Sequence, residues 1–449
     1  MTRRSASVIA VTALGLILGA LALTSAVQPP RTDFLGDAEQ NAQQLVSQGR
    51  QIFRFDSFGD EAFWTDQLGL NKLVASVTPR QALALGLKVD SDALPRNVVE
   101  ALIHGRVNLD DPAVTVQLVG QNAILGVIGS LNTDGSLRVG LSCALCHSTV
   151  DNSVTFGVGK RIDGLANRDL NVGAIVAAVP NLQPIVDLLR LADPSLTTEV
   201  VKNVLLSWGP GKFDAELFLD GKAFQPDGRS AATLLPNARG LAGHNLHTWT
   251  GGWGTVTYWN AFVAVNELHG IGTFFDERFD NVAQFPIAAR AGLGHVSTDP
   301  DHDQVTSKLP ALHFYQLALP AVAPRPGVDF DPAAAERGDV LFSGKANCNS
   351  CHHEPIWTEP GWNQHSADEL KIDSFQADRS PGHAYRTMNL AGIFVRERGL
   401  FMATQNSGRF YHDGRFQTLL DVVSSYNNRF GLGLTDREKT DLVEYLKSL

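Results

Sequence analysis

The chain has 449 residues, of which 44% are hydrophobic and 19% are charged, and its formal net charge is −10. Because a domain has roughly 100–200 residues, this length predicts two or three structural units. The negative charge and the lack of a long basic run argue against a nucleic-acid partner, because binding of a phosphate backbone needs clustered lysine and arginine.

The N-terminus has the pattern of an export signal. Arg3 and Arg4 precede an apolar run from residue 6 to about residue 27, which ends in small residues where a signal peptidase would cut. The run is also long enough for one transmembrane helix of roughly 20 residues. We therefore expect residues 1–30 to be a signal peptide or a membrane anchor. The rest of the protein is then periplasmic, either soluble or anchored in the inner membrane.

Two copies of the pattern Cys-x-x-Cys-His carry the main chemical signal. Thiols at this spacing can each form a thioether with a porphyrin vinyl group, and the histidine that follows then reaches the iron. The two copies use all four cysteines of the chain. A redox dithiol would not need the histidine, and a zinc site would have to unite two distant pairs. The motifs predict two covalently bound haem c groups, held by Cys143, Cys146, His147, Cys348, Cys351 and His352.

We predict an N-terminal haem domain over residues 31–318. It begins with a helical pattern over residues 37–53, and the end of this pattern is repeated at residues 338–342, shortly before the second motif. In the first copy, unlike the second, the haem cysteines do not follow shortly after the helical pattern. Residues 55–135 are therefore interpreted as an insertion that enlarges this domain.

The stretch after the first motif is rich in glycine and contains Arg161 and Arg168. Either arginine is a candidate partner of the haem propionates, and a surface loop with solvated charges is the equal alternative. Further along, Pro180 and Pro194 split residues 174–206 into two predicted helices.

Residues 244–269 combine three tryptophans, several histidines and a carboxylate beside a glycine-rich turn. Such a segment can line the open face of the first haem. His247, Glu267 and His269 are the candidate catalytic residues, acting as acid and base on bound peroxide or oxygen. The alternative is a packed aromatic loop whose histidines only satisfy hydrogen bonds.

A proline-rich linker over residues 319–330 precedes a predicted C-terminal cytochrome c domain, residues 331–449. Asp331 and Pro332 are typical of a helix start, and the sequence from Thr435 to Glu438 is typical of a capping box. The fold class that follows is mainly α, with two cytochrome c-like haem domains.

In a small cytochrome c the first and last helices cross at a glycine and an aromatic residue, and the likeness of the C-terminal domain to one implies the same crossing here. Gly338 and Phe342 would meet Tyr445 and Leu446 there.

These features resemble the bacterial di-haem cytochrome c peroxidases and their MauG-like relatives. The resemblance rests on both haem motifs, on residues 385–392 (Tyr-Arg-Thr-Met-Asn-Leu-Ala-Gly), on the sequence from Phe410 to Phe416 and on the closing helix. It implies that the N-terminal haem is reactive, that the C-terminal haem relays electrons to it, and that a tryptophan often lies between them. It also implies a calcium ion and a small redox protein as electron donor or acceptor.

The sequence departs from the peroxidase pattern in two places. Peroxidases usually offer a methionine as distal ligand of the C-terminal haem, whereas the matching position here is Tyr426, as in the MauG-like proteins. Met402, Met388 and His412 remain alternative ligands. The chain also lacks a clear match to the distal glutamine and glutamate pair of the peroxidases.

Three functions remain open. The favoured one is a di-haem oxidoreductase that activates peroxide or oxygen at the first haem, since the large insertions would be surplus in a simple carrier. The alternative is a pure electron-transfer cytochrome in which both irons are six-coordinate. A weaker alternative is a di-haem oxygenase that cleaves an apolar polymer, similar to the rubber oxygenases.

Overall fold

The structure is a computed structural model that describes residues 34–449. The predicted signal peptide or membrane anchor lies outside the described residues. Contacts group residues 45–449 into one compact unit, and the described residues 34–44 belong to another. Within residues 34–449, none of the helices combines the length and the apolar character that a membrane span requires.

Helices dominate the described part of the chain, which confirms the prediction of a mainly α protein. The longer helices are Phe34–Phe55, Arg96–Ile103, Pro112–Gly120, Thr198–Leu206, Leu309–Ala318, Pro332–Ser343, Leu419–Phe430 and Asp436–Lys447. The shorter α-helices are Leu70–Val74, Pro79–Ala84, Ala144–His147, Val172–Ala177, Gln183–Leu189, Leu217–Asp220, Val256–Phe262, Pro286–Ala291, Ala367–Leu370, Phe375–Asp378 and Phe394–Glu397. Two π-helical segments are Ala62–Gln67 and Val263–Glu267, and 3-10 turns include Ser91–Ala93, Glu277–Asp280, Thr306–Lys308, Cys348–Ser350 and Thr404–Asn406.

The strands form small two-stranded pairs. One hairpin joins Val127–Leu131 to Leu137–Leu141 in antiparallel register. The other antiparallel pairs join Ser148–Val150 to Arg161–Asp163, Lys212–Phe213 to Thr233–Leu234, and Phe274–Phe275 to His295–Val296, and a parallel pair joins Val89–Asp90 to Val158–Gly159.

Local sequence accounts for the predicted helix starts. The Asp331 carboxylate accepts hydrogen bonds from the backbone N–H groups of Ala333 and Ala334. At the last helix, Thr435 accepts from the N–H of Glu438 at 3.3 Å, and the Glu438 carboxylate accepts from the N–H of Thr435 at 2.7 Å. Both predicted caps are therefore confirmed.

The segment over residues 174–206 differs from the prediction. It contains three helices, Val172–Ala177, Gln183–Leu189 and Thr198–Leu206, where two were expected. Pro180 and Pro194 each end a helix, and the residues between them are long enough to form a further one.

Helix Pro332–Ser343 crosses helix Asp436–Lys447 at Gly338, as predicted. A Cβ atom on Gly338 would lie 2.1 Å from the Asp441 carbonyl oxygen. Beside this contact, the rings of Phe342 and Tyr445 pack with their centroids 5.0 Å apart. Only glycine permits so close an approach of the two backbones.

A second crossing of the same kind involves Gly49 of helix Phe34–Phe55. A Cβ atom on Gly49 would lie 2.0 Å from the Ala311 carbonyl oxygen in helix Leu309–Ala318. The rings of Phe53 and Tyr315 flank it, with centroids 5.7 Å apart. The sequence repeat at Gly49 and Gly338 thus corresponds to a repeated helix contact.

Three larger hydrophobic clusters surround the motifs. One packs around Leu145 and Trp64, and a second, rich in phenylalanine, contains Ala144 and Trp253. The third includes Phe342 and has Cys348 packed against it. Each haem motif is therefore anchored in an apolar core.

We expect Gly49→Ala to lower the free energy of unfolding by about 1–3 kcal/mol, the usual cost of overpacking. The added methyl group would overlap a backbone carbonyl, which outweighs a helix-propensity gain of about 1 kcal/mol. Urea denaturation of the haem-loaded protein measures the change. The matched control is Gly120→Ala, because a Cβ there meets nothing within 4 Å. Equal stability of the two variants would contradict the packing role of Gly49.

Candidate functional site

The first motif is held by the hairpin beside it. The N–H of Ser142 donates to the Gly126 carbonyl at 3.0 Å, and the Ser142 hydroxyl donates to the Arg54 carbonyl at 2.9 Å. Gly126 has a φ of 71°, and a Cβ there would lie 2.0 Å from the backbone nitrogen of Leu145. The hairpin therefore fixes where helix Ala144–His147 begins.

His147 is oriented to coordinate through its Nε2 atom. Its Nδ1 atom lies 3.1 Å from the Pro236 carbonyl oxygen. Because a carbonyl only accepts, Nδ1 carries the proton and Nε2 keeps its lone pair. Burial lowers the pKa of His147 to about 4, so the ring is neutral at pH 7. A hydrogen bond of this kind orients most metal-bound histidines.

A cavity of about 450 Å³ lies beside the first motif. Cys143, Cys146 and His147 form part of its wall, and most of the other lining side chains are apolar or aromatic. The volume falls within the roughly 300–1,000 Å³ of cofactor pockets. Two thiols and a neutral imidazole on one apolar cavity fit a covalently attached haem.

The same cavity brings together the predicted catalytic residues His247, Glu267 and His269. Glu267 ends the π-helical segment Val263–Glu267. Burial, reinforced by the nearby Glu216 carboxylate, raises the pKa of Glu267 to about 8. Glu267 is therefore mostly protonated at pH 7, and it can donate a proton into the cavity.

The two histidines are neutral at the same pH. Burial, with the Arg386 charge, lowers the pKa of His247 to about 3, and burial lowers that of His269 to about 4. The His269 ring stacks on Phe63 with centroids 3.6 Å apart. A neutral imidazole can accept a proton, but it does not carry the additional proton that an imidazolium could donate.

Several polar atoms at the cavity have no hydrogen-bond partner among the described residues. They are Trp208 Nε1, His247 Nε2, Thr248 Oγ1, Thr250 Oγ1, Asn266 Nδ2 and Glu267 Oε1. Buried polar groups are normally paired with protein, water or a ligand. Their convergence on one cavity fits a site that takes up water or a polar ligand.

Sequence reasoning missed Glu216, which also lines the cavity. Trp253 Nε1 donates to Glu216 Oε1 at 3.3 Å, and burial raises the pKa of Glu216 against the opposing charge of Arg379. Arg379 is fully buried between Asp214 at 2.9 Å and Asp220 at 2.8 Å. The sequence signal that could have pointed to Glu216 is the presence of three acidic residues, Asp214, Glu216 and Asp220, in one short apolar segment.

The second motif presents its histidine in the same way. His352 Nδ1 lies 3.1 Å from the Trp357 carbonyl oxygen, and burial lowers the pKa of His352 to about 4. The motif begins with the 3-10 turn Cys348–Ser350 after Asn347, whose φ is 51°. Nε2 of His352 is thus available to a metal.

Tyr426 lies close to the second motif. Burial raises the pKa of Tyr426, against the opposing effects of a hydrogen bond with Tyr411 and of the Arg429 charge, and Cys348 and Cys351 are its neighbours on the side of the motif. The Arg429 guanidinium lies 4.5 Å from the centroid of the Tyr426 ring. Tyr426 is therefore a buried neighbour of the second motif, and its role as a ligand stays a prediction.

The rival ligands are placed differently. Met402 packs with Phe394 and Leu165, in a cluster separate from the one around Cys348. His412 is buried and stacks on Tyr385 with centroids 5.4 Å apart, and its Nε2 has no partner within residues 34–449. The choice among Tyr426, Met402, Met388 and His412 stays a prediction.

Of the two arginines considered for the propionates, Arg161 pairs with Asp90 at 3.0 Å. Arg168 is buried, and its pKa is lowered by burial and by the charges of Arg396 and Arg409. Each of these three arginines has a buried nitrogen without a partner in the described part of the chain. Sequence reasoning missed Arg396 and Arg409. Such a cationic cluster fits a bound carboxylate.

Within residues 34–449, one group of candidate metal-ligating side chains lies close enough to share an ion: Cys351, Glu359 and His365. A thiol and an imidazole do not suit calcium, which prefers oxygen ligands. Since Cys351 belongs to a haem motif, this group is not interpreted as a separate metal site. The calcium ion stays a prediction.

No protein-family profile matches the chain. Its sequence is similar to the cytochrome-c peroxidase IdrP1 of Denitromonas iodatirespirans, with 28% identity over 193 residues that cover 33% of this chain and 51% of the relative. The chain therefore spans about half the length of this curated relative. The match confirms the resemblance to cytochrome c peroxidases that the motifs predicted.

Two solved structures show weak likeness. Hydrazine synthase of Kuenenia stuttgartiensis, pressurised with xenon, has 18% identity and a TM-score of 0.28, over 51% of this chain and 76% of that one. A MauG-like protein associated with microbial copper homeostasis has 18% identity and a TM-score of 0.29, over 58% of this chain and 84% of that one.

We expect the Glu267 carboxyl to be protonated at pH 6 and to lose its proton near pH 8. Infrared difference spectra of wild type minus Glu267→Gln isolate its band from those of other protonated carboxyls. Glu216→Gln should keep the band but lower the pH of its loss, because a neighbouring negative charge is removed. A Glu267 band that vanishes near pH 4.5, the ordinary value, would contradict this assignment.

Proposed function

We propose that this protein is a di-haem c-type cytochrome oxidoreductase, similar to the cytochrome c peroxidases, that activates peroxide or oxygen in the cavity beside Cys143, Cys146 and His147. The observation that carries the proposal is that haem-attaching residues and acid–base residues line one cavity. A haem held there supplies an iron at which an O–O bond can be broken.

The protein's own residues supply the proton. Reduction of peroxide to two waters breaks one O–O bond and takes up two electrons and two protons. Glu267, protonated at pH 7 because burial and the nearby Glu216 raise its pKa, donates one proton to the departing oxygen, and the second proton comes from solvent water, which also reprotonates Glu267. His247 and Asn266 offer polar atoms that orient the oxidant.

The second haem is proposed to relay electrons received from a small redox protein. A short chain of contacts joins the two sites. Arg386 lines the first cavity and its backbone N–H donates to the Trp249 carbonyl. The next residue, Thr387, accepts a hydrogen bond from the Thr358 hydroxyl, and Thr358 follows Trp357, whose carbonyl holds His352.

The domain organisation is part of the proposal. The two glycine crossings, at Gly49 and Gly338, support two cytochrome c-like domains over residues 31–318 and 331–449, joined by residues 319–330. Residues 55–135 are the insertion that enlarges the first. The cluster of Arg168, Arg396 and Arg409 is proposed to hold haem propionates, and the protein is proposed to act in the periplasm.

We expect the purified protein to contain two haems that survive acid–acetone extraction, and Cys348→Ala to leave one normally attached haem.

Cyanide or carbon monoxide should perturb the first haem and leave the second largely unchanged, because the large cavity lies at the first motif. Optical and paramagnetic resonance spectra separate the two haems. If neither haem bound an external ligand in any redox state, the protein would be an electron carrier.

We propose that Tyr426 ligates the second iron or lies against it. A phenolate favours ferric iron, so Tyr426→Phe should raise the reduction potential of that haem and change its spin state. Met402→Leu serves as the control and should change neither, because Met402 packs in a separate cluster. Redox titration of both variants decides whether Tyr426 or Met402 is the ligand. A change in Met402→Leu alone would assign the ligand to methionine.

A further inference from the structure

A second, smaller cavity lies against the first one. It has a volume of about 70 Å³ and is lined by helices Leu70–Val74, Pro79–Ala84, Pro112–Gly120 and Val172–Ala177 together with the hairpin strands. We call it the apolar chamber. Most of its wall comes from residues 55–135, the segment that the sequence marked as an insertion.

The apolar chamber is built to stay dry. Only Thr115 and Trp64 among its lining side chains carry polar atoms. The Trp64 indole N–H is already donated to the Leu268 carbonyl at 3.0 Å. The Thr115 hydroxyl has no partner among the described residues, and one group is too few for a stable water, which needs two to four polar partners.

Trp64 forms the wall between the chamber and the haem cavity. Five residues line both spaces: Trp64, Leu141, Leu145, Val172 and Val176. Leu145 lies inside the first Cys-x-x-Cys-His motif. The hydrogen bond of Trp64 ends at Leu268, between the acid–base residues Glu267 and His269. Leu145 therefore connects the chamber wall to the attachment motif, and Trp64 connects it to the segment that carries the acid–base residues.

We propose that the apolar chamber binds a small apolar gas, dioxygen, and delivers it past Trp64 to the first haem cavity. The inference rests on the proposed function and names its oxidant. Dioxygen has no hydrogen-bond requirement and gains from an apolar, water-free space, whereas hydrogen peroxide would lose its hydrogen bonds to water there. The chamber accordingly favours oxygen over peroxide.

The first experiment measures gas binding directly. Xenon is an apolar probe that occupies dry cavities. Crystals of the haem-loaded protein held under xenon should show an atom between Leu73, Val119 and Ile175, which line the chamber and not the haem cavity. This measurement needs no enzymatic activity. An empty chamber under xenon, or ordered water in it, would overturn the proposal.

The second experiment links the chamber to the oxidant. Ala82 lines only the chamber, and Ala82→Leu should fill it, abolish xenon binding and slow the reaction of the reduced protein with oxygen severalfold. The reaction with hydrogen peroxide and the binding of cyanide should keep their wild-type rates. Equal slowing with both oxidants, or no slowing with either, would contradict a gas route.

Thr115→Val is the matched control. It keeps the shape of the side chain and removes the unpaired hydroxyl, so xenon binding and the oxygen rate should stay the same or rise. A fall in both would mean that the hydroxyl serves a bound water, which overturns the proposal. Loss of reactivity with every oxidant and external ligand in the wild type, with xenon still bound, would instead defeat the proposed function alone.

Discussion

Burial of the ionisable side chains around the cavity beside the first motif is the constraint on which the site depends. Burial keeps the His147 ring neutral, so that it can act as a ligand, and keeps the Glu267 carboxyl protonated. Both effects follow from the cost of placing an isolated charge in a medium of low polarity. One physical cause therefore prepares a metal ligand on one side of the cavity and a proton donor on the other.

The charged groups that are buried behind the cavity wall are paired with one another. Arg379 is buried with Asp214 and Asp220, and this ion cluster adjoins Glu216 at the cavity wall. Removing one member of such a buried cluster is costly, because the others lose their partner. The Arg379 cluster fixes the backbone that presents Glu216, just as the carbonyl of Pro236 fixes His147.

The sequence was informative where the signal is local. The two haem motifs, the helix start at Asp331 and the capping box at Thr435 could each be predicted from local spacing, and the crossing at Gly338 from the likeness to a small cytochrome c. The cavity was predicted in part, since His247, Glu267 and His269 lie in one aromatic segment. Glu216 could not be assigned, because its setting depends on Arg379, a residue far away in the sequence. The partner of Gly49, helix Leu309–Ala318, was missed for the same reason.

The two glycine crossings differ in the length of chain that each one closes. Gly338 contacts its partner helix within the last quarter of the sequence, whereas Gly49 contacts Ala311, which is much farther away along the chain. Each doubling of a loop adds only about 0.6 kcal/mol of closure entropy, but contacts between distant residues form more slowly. We expect the C-terminal crossing to form first during folding. The first Cys-x-x-Cys-His motif would then stay open longer to the enzymes that attach haem.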